Sequence, residues 1–499
     1  MANGLRREAF NQSSYDFWAG KYGVVNVRDK GAVGDGVHDD TAAIQAAVNY
    51  AISVGGAEVF YPPGIYVVGT AIIVGGSRIL MRGAGQSSRI MTTSAADNIF
   101  ETSGTTAVYD VNFRDLFVGS TVAKTAGYAC YFNNAYNCFV DNVMSSDALT
   151  PTGVASNLLH GIGISGSGQI HIDKCHFAKQ LGTAIEMVSS TDIWVDGSLI
   201  YSNNIGIHVG GNCGGVYLGI NDVAGNAAYG VLDDTALNAN PNLQIFFTGT
   251  VVDGTTAGDN IYLNSNAQLV QMTGGWSSSA NKVGVHIGNV QRFLSTGLFS
   301  FNNGHEGLLY DASLPGGIRI TGGEIRENSQ SGTALYSGIS INPSIANGAH
   351  ITDVTCYGGN QLHDIDIPAT SKAAFYTIAN CRLSRVVNQA ATSVTNAIVA
   401  NNTYNSANAT VQSIAGTTAG TIYWDYTQTG SMKRVTIYLS GYENDTLTAQ
   451  TITFPIPFAY TPLLNNAVGV AGVTVSTTSI SIDPNLTTVY NGYLTVEGF

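Results

Sequence analysis

Short alternations of apolar and polar residues, each closed by glycine, recur along most of this chain. The clearest are Ile193-Trp194-Val195-Asp196-Gly197, Val216-Tyr217-Leu218-Gly219, Phe246-Phe247-Thr248-Gly249, Val270-Gln271-Met272-Thr273-Gly274-Gly275, Phe293-Leu294-Ser295-Thr296-Gly297 and Ile318-Arg319-Ile320-Thr321-Gly322-Gly323. Successive side chains of a strand face opposite ways, so each segment turns one apolar face inward and one polar face out. Counted from the last glycine of each, the steps are 22, 30, 26, 22 and 26 residues. Asn-rich turns such as Asn203-Asn204, Asn302-Asn303 and Asn328 separate the segments. Repeats of this length predict the stacked coils of a parallel β-solenoid. A sandwich would show hairpin signals at shorter spacing. Roughly ten coils, each rising ~4.8 Å, give a rod of ~50 Å over this part of the chain.

The run Val27-Arg28-Asp29-Lys30-Gly31-Ala32-Val33-Gly34-Asp35-Gly36-Val37-His38-Asp39-Asp40-Thr41-Ala42-Ala43-Ile44-Gln45 breaks the pattern. It predicts a strand, a glycine-rich loop and a slim alanine-rich helix that Asp39 or Asp40 caps. The helix should stop near Gly55-Gly56, and Pro62-Pro63-Gly64 marks a turn before the strand 65–68. Together with Ala57-Glu58-Val59-Phe60-Tyr61-Pro62-Pro63-Gly64-Ile65-Tyr66, this segment closely resembles the opening of the pectate-lyase-like superfamily, which is common in bacteriophage tailspikes. The resemblance implies an all-β, right-handed, single-stranded parallel β-helix with an N-terminal capping helix. It also makes Asp35, Asp39 and Asp40 structural residues.

Near residue 406 the composition changes. Thr421-Ile422-Tyr423-Trp424-Asp425-Tyr426 and Arg434-Val435-Thr436-Ile437-Tyr438-Leu439 alternate cleanly, and Pro455, Pro457 and Pro462 interrupt the next apolar run. This predicts a C-terminal antiparallel β module. The expected organisation is a short segment 1–22, a cap with the first coils over 23–110, the β-helix over 111–405, and a sandwich-like module over 406–499. That module resembles the C-terminal modules of phage tail proteins, and the resemblance implies trimerisation or carbohydrate binding.

Charge narrows the partners. Only 11% of residues are charged against 44% hydrophobic, and the net charge is −13. Phosphate affinity rests on Lys and Arg, so nucleic acid is excluded. No stretch is long and apolar enough to span a bilayer, and residues 1–22 carry no secretory core after Arg6-Arg7. The six cysteines (Cys130, Cys138, Cys175, Cys213, Cys356 and Cys381) have neither metal-site spacing nor a compact framework and read as buried thiols.

No elbow, phosphate loop or metalloprotease motif is present, which leaves carboxylates on the coil faces. Cutting a glycosidic bond needs one carboxyl group to protonate the leaving oxygen and another to act as nucleophile or base. Gly322-Gly323-Glu324-Ile325-Arg326-Glu327-Asn328 is the densest cluster. Glu324 and Arg326 flank an inward Ile325, while Glu327 needs the turn to re-aim it. The preceding loop carries His305 and Glu306, and Asp253 takes the position of Glu327 in an earlier coil. Trp276, two coils before Glu324 in the same position, suits a sugar platform. Asp233-Asp234 reads as a cation site or a turn. Catalysis is therefore expected from Glu324, Glu327, Glu306 and Asp253, with Trp276, Arg326, His305, Asp233 and Asp234 binding substrate and no metal or other cofactor. His171 and Asp173 share an outward face, whereas His208, His286 and His350 read as satisfied core histidines.

The family resemblance implies a phage tailspike-like depolymerase that hydrolyses a bacterial surface polysaccharide. It further implies a homotrimer on a phage tail or baseplate that is assembled in the host cytoplasm and acts at the bacterial cell surface. Two alternatives stand beside it: a polysaccharide lyase of the same fold using Ca²⁺ and Arg, Lys or Tyr as base, and a non-catalytic receptor-binding fibre.

Overall fold

The computed structural model describes residues 23–102, 104–146, 157–311, 317–342, 348–367, 375–384, 388–389, 396–400, 402–404, 421–429, 432–442, 450–453, 463–468, 473–476, 479–482 and 490–498. The chain divides into two compact units, Met1–Gly258 and Asp259–Phe499. Each contains parallel β-solenoid coils, as the glycine-marked period predicts. The expected 1–22 segment lies outside the described residues.

In the first unit, strands in equivalent positions of successive coils pair in parallel and in register. Ile170 pairs with Ile193, Ile193 with Val216 and Val216 with Ile245, and all four are fully buried. A second wall stacks Thr183–Val188 on Ile205–Val209 and that on Tyr229–Asp233. Turns between walls use residues with left-handed backbone, among them Asn134, Asn142 and Ser202, whose short polar side chains tolerate it. Other asparagines point inward. Asn203 donates to Asn226 Oδ1 at 3.1 Å while its own Oδ1 takes the Gln180 N–H at 2.9 Å, forming a buried ladder from coil to coil. All six cysteines are free and buried.

Helix α1 (Thr41–Ser53) buries Ile44, Ala47, Val48 and Ala51 against strands Ala57–Phe60 and Ile72–Val74, and it ends before Gly55, whose φ is 85°. The N-cap contact expected of Asp39 or Asp40 at the start of this helix takes a different form. Asp40 occupies the N-cap position but turns its carboxylate to the N–H groups of Val33 and Gly34 (2.7 and 3.1 Å), so it folds the glycine loop back. Asp39 instead accepts from Thr41 N at 2.9 Å.

In the second unit, Arg292–Phe301 pairs in parallel with Gly317–Arg326, which pairs with Gly348–Thr352 and Thr355–Tyr357. Asn303 and Asn328, with Gln361, repeat the inward amide ladder. The pairing then changes sense: Asn396–Ala400 lies antiparallel to Thr421–Thr429, which is followed by Met432–Tyr442, Tyr490–Gly498 and Leu463–Val468, all antiparallel. Gln450–Thr453, Ser479–Ile482 and Val473–Val475 form a separate antiparallel sheet. The expected antiparallel module thus has an antiparallel counterpart in the described strands.

Candidate functional site

Register fixes the outward face of the second unit. Trp276 pairs with Phe299 and Phe299 with Glu324, so these residues form one column over three coils. Phe301, Arg326 and Tyr357 form the next column. Trp276 and Phe299 are 43% and 45% exposed, large values for aromatic residues on a packed wall. Glu324 Oε1 accepts from Arg326 Nε at 2.7 Å and from the Tyr357 hydroxyl at 3.0 Å. The Arg326 guanidinium also lies over the Phe301 ring, 4.6 Å from its centroid, and Trp276 meets that ring edge-on. Glu324 is therefore a fixed acceptor beside free aromatic faces. Glu327 has a left-handed backbone (φ 48°), and its N–H binds the Tyr357 carbonyl at 3.0 Å. It thus stands at the turn, apart from the strand alternation that places Glu324.

Glu306 occupies a different setting. Burial pushes its carboxyl up to about 7, with the charges of Asp259 and Asp366 adding to the rise and His286 opposing it. His286 is held on both sides, by Asp259 at 2.9 Å and by Asp311 at 3.2 Å. Burial alone would lower its pKa, but these partners outweigh that and raise it to about 9. His305 stacks on the Tyr336 ring at 4.0 Å, and burial lowers its pKa.

Among the residues of the first unit, Asp253 ends strand Val251–Asp253 beside Ala224, and its charge, after burial, raises the pKa of Asp222. Asp233 does not stand on an open loop as expected. It closes strand Tyr229–Asp233, is fully buried and accepts from Asn242 Nδ2 at 2.5 Å, because the strand alternation carries it inward. Asp234 faces the other way and takes His208 Nε2 at 2.9 Å, while His208 Nδ1 lies 3.4 Å from Glu186. Among the described residues no group of three or more His, Cys, Asp or Glu could hold a metal ion.

His208 and His286 are satisfied structural histidines, as expected, and their partners are carboxylates of the coils before and after. Sequence reasoning passed over Tyr128, whose hydroxyl donates to Glu186 Oε1, with burial first and Glu186 second raising its pKa strongly. The signal was Gly163, between Tyr131 and Glu186 in the column: a Cβ there would lie 2.8 Å from Tyr128 Cδ1 and Tyr131 Cδ2. His171 and Asp173 do share the outward face, where His171 joins a stack of Phe139, Trp194, Tyr217 and Phe246. Asp173 pairs in register with Asp141 and Asp196.

Comparison with known proteins adds the following. The family described as rhamnogalacturonase A/epimerase, pectate lyase-like, matches residues 24–308, more than half of the chain. Mannuronan C5-epimerase AlgE5 of Azotobacter vinelandii is 60% identical over 43 residues, 9% of this chain and only 4% of that protein's length. Tailspike protein 3 of bacteriophage CBA120 superposes with a TM-score of 0.51 at 15% identity, covering 76% of this chain and 61% of that one. The A-module of mannuronan C5-epimerase AlgE6 of Azotobacter vinelandii gives a TM-score of 0.49 at 15% identity, over 76% and 99%. No helix among the described residues is long and apolar enough to cross a membrane. The in-register parallel coils and the extent of the family match agree, and the chain belongs to the rhamnogalacturonase A/epimerase, pectate lyase-like family.

Proposed function

We propose that this chain binds a bacterial surface polysaccharide (capsule, O-antigen or wall glycan) and depolymerises it by hydrolysis with paired carboxyl groups. The observation that carries the reading is the column Trp276–Phe299–Glu324, in which two exposed aromatic rings lead to a carboxylate clamped by Arg326 and Tyr357. Aromatic faces take the apolar side of a pyranose, and a fixed carboxylate accepts from its hydroxyls. Glu306, held near 7 by burial, is suited to donate the proton to the leaving oxygen at neutral pH. Asp259 and Asp366, whose charges act on Glu306, are the first candidates for the second carboxyl group. Glu327 follows them. The chemistry requires no cofactor.

Incubation with a panel of capsule and wall glycans, followed by sizing and mass spectrometry, tests this. Oligosaccharides of defined repeat, lost on Glu306→Gln while binding persists, support the hydrolase. Products absorbing in the ultraviolet would instead mark a lyase, and binding without shortening a receptor-binding fibre. The same proposal makes the protein a homotrimer on a phage tail or baseplate, and sedimentation equilibrium of the full chain checks the trimer.

A further inference from the structure

The first unit carries an open pocket that the proposed hydrolysis does not use. Its volume is about 570 Å³, and Ile52, Gly55, Ser77, Arg78, Tyr109 and Asp110 line it. Sites for small ligands span ~300–1,000 Å³. Tyr109 is 51% exposed. One side of its ring packs on Tyr136 with centroids 5.5 Å apart, and the ring borders the pocket as well. Its backbone is fixed: the Tyr109 N–H binds Ser77 Oγ at 3.0 Å, and its carbonyl takes the Arg78 N–H at 2.8 Å.

Polar groups flank this ring. Arg78 is exposed and makes no side-chain hydrogen bond or ion pair among the described residues. It is also the one arginine among them with left-handed backbone (φ 65°), in a set made mostly of Asn, Asp and Ser. A turn alone would favour those shorter residues. Asp110, likewise left-handed (φ 60°), uses Oδ1 to accept from Asn137 Nδ2. A donor fork, a carboxylate acceptor and a hydroxyl thus surround one aromatic ring and one aliphatic wall, Ile52.

We infer that this pocket is a second carbohydrate site, which holds one neutral pyranose unit stacked on Tyr109 with Arg78 donating to its hydroxyls and Asp110 accepting from them. The opposite charges of Arg78 and Asp110 sit side by side and suit a neutral sugar better than a uronate, whose carboxylate Asp110 would repel. The site is an anchor and has no group placed for bond cleavage. It rests on the polysaccharide reading only in that its ligand is a sugar.

Saturation-transfer NMR on the full chain tests it, with methyl glucopyranoside, N-acetylglucosamine and glucuronic acid as probes. The expected result is transfer to the neutral sugars, retained in Glu306→Gln and Trp276→Ala and in Tyr109→Phe. Tyr109→Ala and Arg78→Ala should each weaken it about tenfold, the scale of one aromatic contact. Transfer that survives both substitutions, or that favours glucuronic acid, overturns the assignment, and so does its absence with every neutral probe. A neutral-sugar signal lost in Trp276→Ala but kept in Tyr109→Ala overturns it while leaving the depolymerase reading intact. Melting curves of Tyr109→Phe and Tyr109→Ala separate lost binding from lost folding.

Discussion

Nε2 of His208 lies 2.9 Å from Oδ1 of Asp234, and its Nδ1 lies 3.4 Å from Glu186, so one buried imidazole joins three coils. His286 repeats the arrangement with Asp259 and Asp311. Burial opposes the charged form, but the carboxylates prevail and hold each histidine at about 9.

The unfolded-state value is about 6.5, so each histidine's contribution is complete below that pH and disappears as pH rises through about 9. At ~1.4 kcal/mol per unit the upper bound is on the order of 3 kcal/mol for each. Glu186 and Asp234 are shifted down, so they contribute above their unfolded values and lose that contribution as pH falls through the folded ones. The melting temperature should therefore fall between pH 7 and about pH 10. His208→Gln should flatten that decline, and a decline unchanged in both His208→Gln and His286→Gln would refute the assignment.

The outward stack Phe139–His171–Trp194–Tyr217–Phe246 has centroid spacings of 4.7, 4.2, 5.1 and 5.1 Å and ring planes within 12°. Both faces of Trp194 are covered by neighbours, so this ladder stiffens the wall and is not open to a sugar. Each pair is worth about 0.5–1.5 kcal/mol beyond its burial. Trp194→Ala, which breaks two pairs, should cost about 2–4 kcal/mol in urea unfolding. It should leave glycan binding unchanged.

In the proposed hydrolysis Glu306 is the acid and sets the expected pH signature. A general acid near 7 is protonated below that pH, so cleavage should fall as pH rises through about 7. Glu306→Gln should lower the rate by about 10²–10⁴ and remove that alkaline limb. Glu324→Gln should chiefly raise KM, because Glu324 is already held by Arg326 and Tyr357. Equal effects of both substitutions on kcat would reverse these roles.

The parallel coils and the Trp276–Glu324 column were legible because glycine markers preserve register: positions equivalent after those markers do pair through Phe299. The histidine clasps were not. His208 lies in Ile205-Gly206-Ile207-His208-Val209, which looks apolar, and its partners are 22 and 26 residues away, one coil to either side. Only the register of the second wall brings them together. Asp233 and Asp234 show the converse, since adjacent acids look alike in sequence while strand alternation sends one inward and one outward. Gly163 carried information that the abundance of glycine concealed.

That glycine is testable. In Gly163→Ala the new methyl would meet the Tyr128 and Tyr131 rings at 2.8 Å and push Tyr128 away from Glu186. Overpacking of this kind costs about 1–3 kcal/mol. The loss should shrink in a Tyr128→Ala background, because one of the two obstructing rings is gone. A loss of equal size in both backgrounds would mean the strain lies elsewhere. Because burial and Glu186 raise the Tyr128 pKa, its phenol stays protonated well above neutral pH, as its donation to Glu186 requires.

The inward amides set a last expectation. Asn303 is fully buried; its Nδ2 donates to Asn328 Oδ1 at 2.9 Å, and its Oδ1 accepts the Ala280 N–H at 3.0 Å. Asn303→Ala leaves the Ala280 N–H without its acceptor inside the coil, at about 1–3 kcal/mol for an unsatisfied group, while Asn328 Oδ1 keeps the residue-303 N–H at 3.2 Å. Asn303→Asp keeps the shape and the acceptor but removes the donor and introduces a charge beside the Asn328 oxygen. The aspartate should therefore destabilise at least as much as the alanine at pH 7, and it should recover as pH falls and its carboxyl gains a proton. Urea unfolding at pH 7 and pH 4.5 measures both. An aspartate variant as stable as the wild type at neutral pH would show that the ladder is not a chain of amide donors and acceptors.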